Sequence, residues 1–198
     1  MTRLIRGSVT VAFAGLSVAA CATAPKTAGH PAAALARQVE GIEGLHENTY
    51  RDGRVIIAGQ PGEKALAGLR DLGVTAVVNV RTPREMENRE IVPFDEAAAV
   101  GRLGVEYVTI PLGGSDHPYT PAAVDELAAV LDRADGDVLL HCGMGGRAAY
   151  LWVAYLVREK GIAIDEAWAR GRAIAIGPDP LEGLLGRPLT RAYADIIQ

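Results

Sequence analysis

The stretch VLLHCGMGGRAAYLWVAYL, residues 138–156, leaves few folds open. Three apolar residues run into a histidine and a cysteine, three glycines fall within the next four positions, and a segment apolar on nearly every side begins after Arg147. A short apolar run bounded by glycine reads as a buried strand, and a longer one that is apolar all round reads as a buried helix. A strand passing through a tight loop into a helix is the repeating unit of a layered α/β sheet.

The rest of the chain follows the same plan. VTAVVNV, 74–80, is the β-branched run expected of a strand covered on both faces, and VEYVTIP, 105–111, is another strand. LHENTYRDGRVIIAGQP reads as two short strands around an Asp52-Gly53 turn. Between the strands, Ala65, Leu66, Leu69 and Leu72 recur at helical spacing until Gly73, a helix is expected over 95–103, and Thr120-Pro121 opens one whose apolar face is Val124, Leu127, Ala128 and Leu131. RTPREMENRE reads as a polar loop, and the tail from Ile164 as two helices separated by IGPDPLEG, with Trp168 as a packing residue. The expectation is a single α/β domain with a mostly parallel central sheet and helices on both faces. In such sheets ligands sit at the carboxyl ends of the strands, where the loops after Val80, Pro111 and His141 begin.

Residues 1–20 read as a cleaved leader, with Arg3 and Arg6 ahead of an apolar run from Val9 to Ala20 that is short for a membrane span. Val18-Ala19-Ala20-Cys21 resembles a bacterial lipobox, which implies lipidation of Cys21 and a lipoprotein anchored in the cell envelope, facing the periplasm from the outer membrane because Ala22 follows. Residues 21–40 then form a tether and 41–198 the domain. The chain has 20 Lys and Arg against 24 Asp and Glu, and loss of the leader leaves 18 against 24, about −6. That balance excludes a nucleic-acid role, which needs a basic face.

With Cys21 acylated, Cys142 is the one remaining thiol in the sequence. A lone cysteine is often buried and inert. This one stands at a strand end ahead of a helix N-terminus, where positive potential and unpaired N–H groups bring a thiol from ~8.5 to roughly 3.5–7.5. The amides of Gly143, Met144, Gly145, Gly146 and Arg147 can converge on an anion, and the Arg147 guanidinium offers it two parallel hydrogen bonds. A nucleophile, an amide cradle and an arginine are the parts that phosphoryl transfer through cysteine requires. The four histidines, His30, His46, His117 and His141, are not at metal-ligand spacing, so neither a metal nor another cofactor is expected.

HCGMGGR after an apolar strand resembles the active-site loop of the cysteine-dependent protein tyrosine and dual-specificity phosphatases, in which five residues separate cysteine from arginine. Here there are four. The shorter loop, together with AGQP at 58–61, VVNVR with Glu85 shortly after it, and GVEYVTIP, is similar to the phosphatase-like domain of bacterial beta-lactamase-hydrolase-like proteins, over roughly 45–177. The resemblance implies Cys142 as nucleophile, Arg147 and the loop amides as phosphate binders, and His141 as a neighbour that helps hold the thiolate. It also implies an upstream aspartate as general acid. Asp116 in GGSDHPYT is the candidate, with a turn aspartate as its alternative and His117 as a second choice.

The implied activity is metal-independent hydrolysis of phosphate monoesters, on protein phosphotyrosine or a small phosphoester, through a phosphocysteine. The larger family places Ser or Thr after the arginine to help break that intermediate down, and Ala148 has no hydroxyl. Two other functions therefore stay open. A rhodanese-type sulfurtransferase shares the four-residue spacing, and a catalytically silent anion-binding envelope lipoprotein would suit Ala148. Arg81 and Glu85 read as a surface pair, with the mouth of the site as the alternative; Asn79 reads as a buried amide and Asp125 as a first-turn helix acid.

Overall fold

The computed structural model describes residues 36–171 and 179–189, all within one compact unit. The leader, Cys21 and residues 22–35 of the tether lie outside the described residues. In chain order the elements are β1 (Arg37–Gln38), β2 (Thr49–Asp52), β3 (Val55–Ala58), α1 (Glu63–Ala67), β4 (Val74–Asn79), α2 (Pro83–Glu87), α3 (Glu96–Gly101), β5 (Glu106–Thr109), α4 (Pro121–Arg133), β6 (Asp137–His141), α5 (Gly146–Arg158), α6 (Ile164–Gly171) and α7 (Asp179–Leu185).

The strands form one sheet in the order β1-β2-β3-β6-β4-β5, in which β3, β6, β4 and β5 run parallel and β1 and β2 are antiparallel additions at one edge. Alternation along the strands sorts side chains between two cores. Val55, Ile57, Ala76, Val78, Val138 and Leu140 face the layer of α4, α5, α6 and α7, while Ile56, Ala58, Val74, Val77 and Leu139 face α1 and α3. Helix α5 is buried from Ala148 through Leu156, as its all-round apolar sequence requires, and Trp168 of α6 packs on Tyr150 at 5.9 Å between ring centroids. Gly171 permits the close approach of α6, since a Cβ there would lie 2.4 Å from Val153 Cγ2.

Three local expectations are corrected. The segment RTPREMENRE contains α2, because Thr82-Pro83-Arg84-Glu85 is a reciprocal capping box with proline at the first helical position. Much of IGPDPLEG, read as a spacer, is α7 itself. The two-residue strand β1 pairs with β2 inside the segment assigned to the tether.

What this topology does for function is to put β6 in the middle. Its partners are β3 on one side and β4 on the other, and all four parallel strands end at the same edge. Backbone bonds continue past the strand ends: Gln60 N donates to Gly143 O (2.8 Å), Val80 N to His141 O (2.8 Å), Ile110 N to Asn79 O (2.9 Å) and Leu112 N to Val80 O (3.0 Å). The loops leaving β3, β4, β5 and β6 thus begin in register, around the crevice where α/β sheets bind ligands.

Candidate active site

Successive residues of a strand point to opposite faces, and this separates His141 from Cys142. His141 shares its face with Leu139 and turns toward α3. Cys142, tied to the ladder by its N–H to Ala58 O (3.3 Å), joins the core on the α5 side and is 2% exposed.

The Cys142 Sγ accepts the Gly145 N–H at 3.2 Å. Gly145 is the N-cap of α5 with φ 92°, a left-handed conformation that glycine adopts without strain, and Gly146 and Arg147 are the first helical residues. The four-residue spacing therefore leaves one tight turn between Cys142 and Arg147. Met144 is 62% exposed at the crest of this loop, and Asn48 Nδ2 donates to its carbonyl.

Arg147 is held by Glu85. Nη1 donates to Oε2 at 2.8 Å, Nη2 donates to Oε1 at 2.7 Å, and Nη1 also donates to Leu112 O at 2.7 Å. Of the five guanidinium N–H groups, the Nε hydrogen and one on Nη2 have no protein acceptor among the described residues. Nη2 lies on the Gly143 side of the loop, at 4.0 Å from where a Cβ on that residue would stand. A tetrahedral anion seated on the loop would meet these two hydrogens as a fork.

Glu85 is fixed in turn by the capping box, since Thr82 N and Oγ1 both donate to Oε2. Arg147 first of all, with Thr82 adding and burial opposing, holds the Glu85 carboxyl down to about 2. The Arg147 guanidinium is correspondingly held in its charged form by Glu85. The reading of Arg81 and Glu85 as a surface pair is corrected: Arg81 is 3% exposed, and its Nε lies 3.5 Å from the same carboxylate that clamps Arg147. Arg81 Nη1 donates to Gln60 Oε1 (2.8 Å), and Gln60 Nε2 donates to Glu96 Oε2.

Glu96, the first residue of α3, closes the circuit. Its Oε1 stands 2.7 Å from His141 Nε2, with both side chains fully buried. The approach is poorly aligned for a hydrogen bond, so the two groups meet as a close polar contact. Burial alone would raise the Glu96 carboxyl; His141, Gln60 and Tyr107 outweigh it and hold the group below the usual carboxylate range. Burial and the Glu96 charge push the Tyr107 phenol upward. Asn79 donates to Tyr107 Oη (2.9 Å) and accepts from Arg81 N (2.9 Å), so it is the partnered buried amide that was expected.

Asp116 lies on an exposed loop after β5. Its carboxylate accepts from Ser115 Oγ at 3.3 Å, and the turn is closed by Gly113 N donating to His117 O (2.7 Å). The structure does not bring Asp116 or His117 into contact with Cys142 or Arg147; the loop meets the site at Gly113, where a Cβ would be 3.3 Å from Arg147 Nη1. Farther along it, Tyr119 is half-buried. Burial raises its phenol, Arg147 pulls the other way, and Cys142 and Glu85 push it up, which places the ring within electrostatic reach of all three. Ala148 is fully buried, and Asp125 pairs with Arg158 on the α4 surface. Among the described residues, no group of three or more His, Cys, Asp or Glu is placed to hold a metal ion.

Glu96, Gln60 and Tyr119 were absent from the sequence-derived site. Glu85 carried a local signal, the T-P-x-E capping box, but that signal fixes a helix start rather than a bond to Arg147.

No protein-family profile matches the chain. Over 120 residues, 61% of its length, it is 29% identical to proteins named beta-lactamase hydrolase-like from two strains of Xylella fastidiosa, and the match spans 27% of those relatives. Among solved structures it is similar to Tk-PTP in the active form, with a TM-score of 0.55 and 24% identity over 69% of this chain and 95% of that one. It is also similar to PTPMT1, with a TM-score of 0.57 and 22% identity over 75% and 95%. A variant of P. aeruginosa TpbA in complex with pTyr matches with a TM-score of 0.54 and 20% identity over 82% and 93%. The chain has the cysteine-phosphatase fold, with the beta-lactamase hydrolase-like proteins as distant relatives.

Proposed function

We propose that the protein is a cysteine-dependent phosphatase of the cell envelope, anchored through an acylated Cys21, which hydrolyses phosphate monoesters through a phosphocysteine. The observation that carries this reading is the Arg147 clamp: Glu85 and Leu112 orient the guanidinium so that two unused N–H groups remain beside the loop that holds the Cys142 thiol.

In the first step the Cys142 thiolate attacks phosphorus and the ester P–O bond breaks. The charge developing on the equatorial oxygens falls on the loop amides and on Nε and Nη2 of Arg147. Asp116 supplies the leaving oxygen with its proton once substrate draws the 113–119 loop inward, a motion compatible with the long contacts usual before substrate binds. Water then attacks the phosphocysteine, releasing phosphate and restoring the thiolate. Ala148 offers no hydroxyl for this second step, and the Tyr119 phenol, which feels the Cys142 charge, is a candidate to serve it.

The exposed Met144 at the crest and the half-buried Tyr119 offer apolar walls above the loop, which supports phosphotyrosine over a small polar phosphoester as substrate. Purified full chain should hydrolyse p-nitrophenyl phosphate without added metal, and Cys142→Ser should abolish turnover while phosphate binding persists. Turnover surviving in Cys142→Ser, or thiosulfate:cyanide sulfur transfer in place of phosphatase activity, would overturn the proposal.

A further inference from the structure

The buried contact between His141 and Glu96 has no role in the chemistry above, yet it takes an imidazole and a carboxylate wholly out of water, which a fold tolerates where the partners are well placed. Its setting is specific. Glu96 is delivered by the first turn of α3, whose N-cap Asp95 accepts Ala98 N (3.0 Å), so the carboxylate is fixed at a helix N-terminus that favours negative charge. Gln60, held by its own N–H to the nucleophile loop, donates to the other carboxylate oxygen. The His141 ring is fully buried, and its remaining nitrogen, Nδ1, has no protein hydrogen-bond partner among the described residues.

We propose that Glu96 is a positioning residue for the nucleophile: it holds His141 as an imidazolium on the far side of the strand from Cys142, and the field of that cation stabilises the thiolate. This rests on Cys142 acting as a nucleophile, the reading given above. The effect is electrostatic and involves no proton exchange between His141 and Cys142, because the two side chains leave the strand on opposite faces. Glu96 meets the ring at Nε2, the nitrogen away from the backbone, so the imidazole stands between the carboxylate and the strand end that carries Cys142.

Besides the pair itself, the charged and titratable groups around it are Asp95 at the N-cap of α3, Tyr107 from β5, Arg81 after β4, and Cys142 beside His141 in the chain. Glu87 at the end of α2 and Arg89 just after it line the same cavity as Glu96. Arg81 is already occupied by Gln60 and Glu85, and Tyr107 remains a neutral donor. Arg89 is turned to the Phe94 carbonyl, and among the described residues neither it nor Arg81 forms an ion pair or hydrogen bond with Glu96.

The test follows alkylation of the Cys142 peptide by iodoacetamide as a function of pH in the full chain, read by mass spectrometry so that Cys21 does not interfere. Glu96→Gln, which keeps the size of the side chain and removes its charge, should move the midpoint upward by roughly one pH unit or more, about a tenfold loss of thiolate below the midpoint. Glu96→Asp should recover part of the shift, and Glu96→Gln should add nothing in a His141→Gln background. A midpoint that stays or falls in Glu96→Gln, or additive shifts in the double variant, would overturn the inference. Should Glu96→Gln not fold, the nitrogen-15 resonances of the His141 ring in the wild-type chain decide: an imidazolium at pH 7 supports the proposal and a neutral ring overturns it. Alkylation needs no turnover, so a chain that follows these expectations yet never hydrolyses a phosphoester would refute the phosphatase reading alone.

Discussion

Glu85→Gln isolates the clamp on Arg147. Glutamine still serves as the third residue of a capping box, so α2 keeps its start, but the charge opposite the guanidinium is gone. Arg147 and Thr82 hold the Glu85 carboxyl down to about 2 against an ordinary 4.5. At about 1.4 kcal/mol for each pH unit that difference would be worth ~3.4 kcal/mol undiminished. With 29% of the side chain exposed, solvent screening leaves roughly 1–2 kcal/mol. A chain of this size should then melt ~2–8 °C lower at pH 7.

The carboxyl titrates lower folded than unfolded, so its contribution is whole above about 4.5 and is lost as the pH falls toward about 2. Melting curves of the two proteins should converge across that window. In activity the loosened guanidinium should cost ~10–100-fold in kcat/KM, the scale of a misplaced binding group. Calorimetry from pH 7 to pH 2, with p-nitrophenyl phosphate kinetics at pH 6, makes the measurement. Equal melting temperatures at pH 7, or a gap that stays constant down to pH 2, would show that the pairing does not stabilise the fold.

Asp116→Asn should lower kcat ~100-fold or more on an alkyl phosphate and far less on p-nitrophenyl phosphate, whose leaving group needs little protonation; equal losses on both would exclude Asp116 as the acid. Gly183→Ala should destabilise by ~1–3 kcal/mol, as overpacking does, because the new Cβ would stand 2.5 Å from Tyr119 O, and kcat/KM should fall with the displaced loop. Gly101→Ala, with open space around it, is the neutral control, and comparable melting temperatures for the two variants would contradict the brace between α7 and the Tyr119 segment.

Much of the architecture was legible because short-range patterns decide it. The run VTAVVNV and the passage from VLLH through three glycines into an apolar helix each report burial and backbone freedom over a few residues, and both stand in the structure. Asp95 and Glu96 were equally visible as a helix start. That Glu96 meets His141 was not, because the contact depends on β6 returning between β3 and β4 and on the face that residue 141 presents. Glu85 looked like half of an i,i+4 surface pair with Arg81, since nothing local says that residue 147 will arrive beside it. Gln60 was visible only as a strand stop; its amide bridges Glu96 of α3 and Arg81 after β4, which come from distant parts of the chain.

The backbone bonds that run on past the strand ends have a consequence for how a ligand binds. Gln60, Val80 and Leu112 lie one to three residues past a strand end, and each is already fastened to the neighbouring strand or the loop that leaves it. The conformational entropy of the floor of the site is therefore surrendered when the sheet forms, before any phosphate arrives. Anion binding meets a preorganised floor and gains affinity from costs it does not incur. The 113–119 loop, which opens on Gly113 and Gly114, both with positive φ, is the segment that the proposed proton donation requires to move, so ligand-dependent changes in amide exchange should gather there and spare the four strand ends.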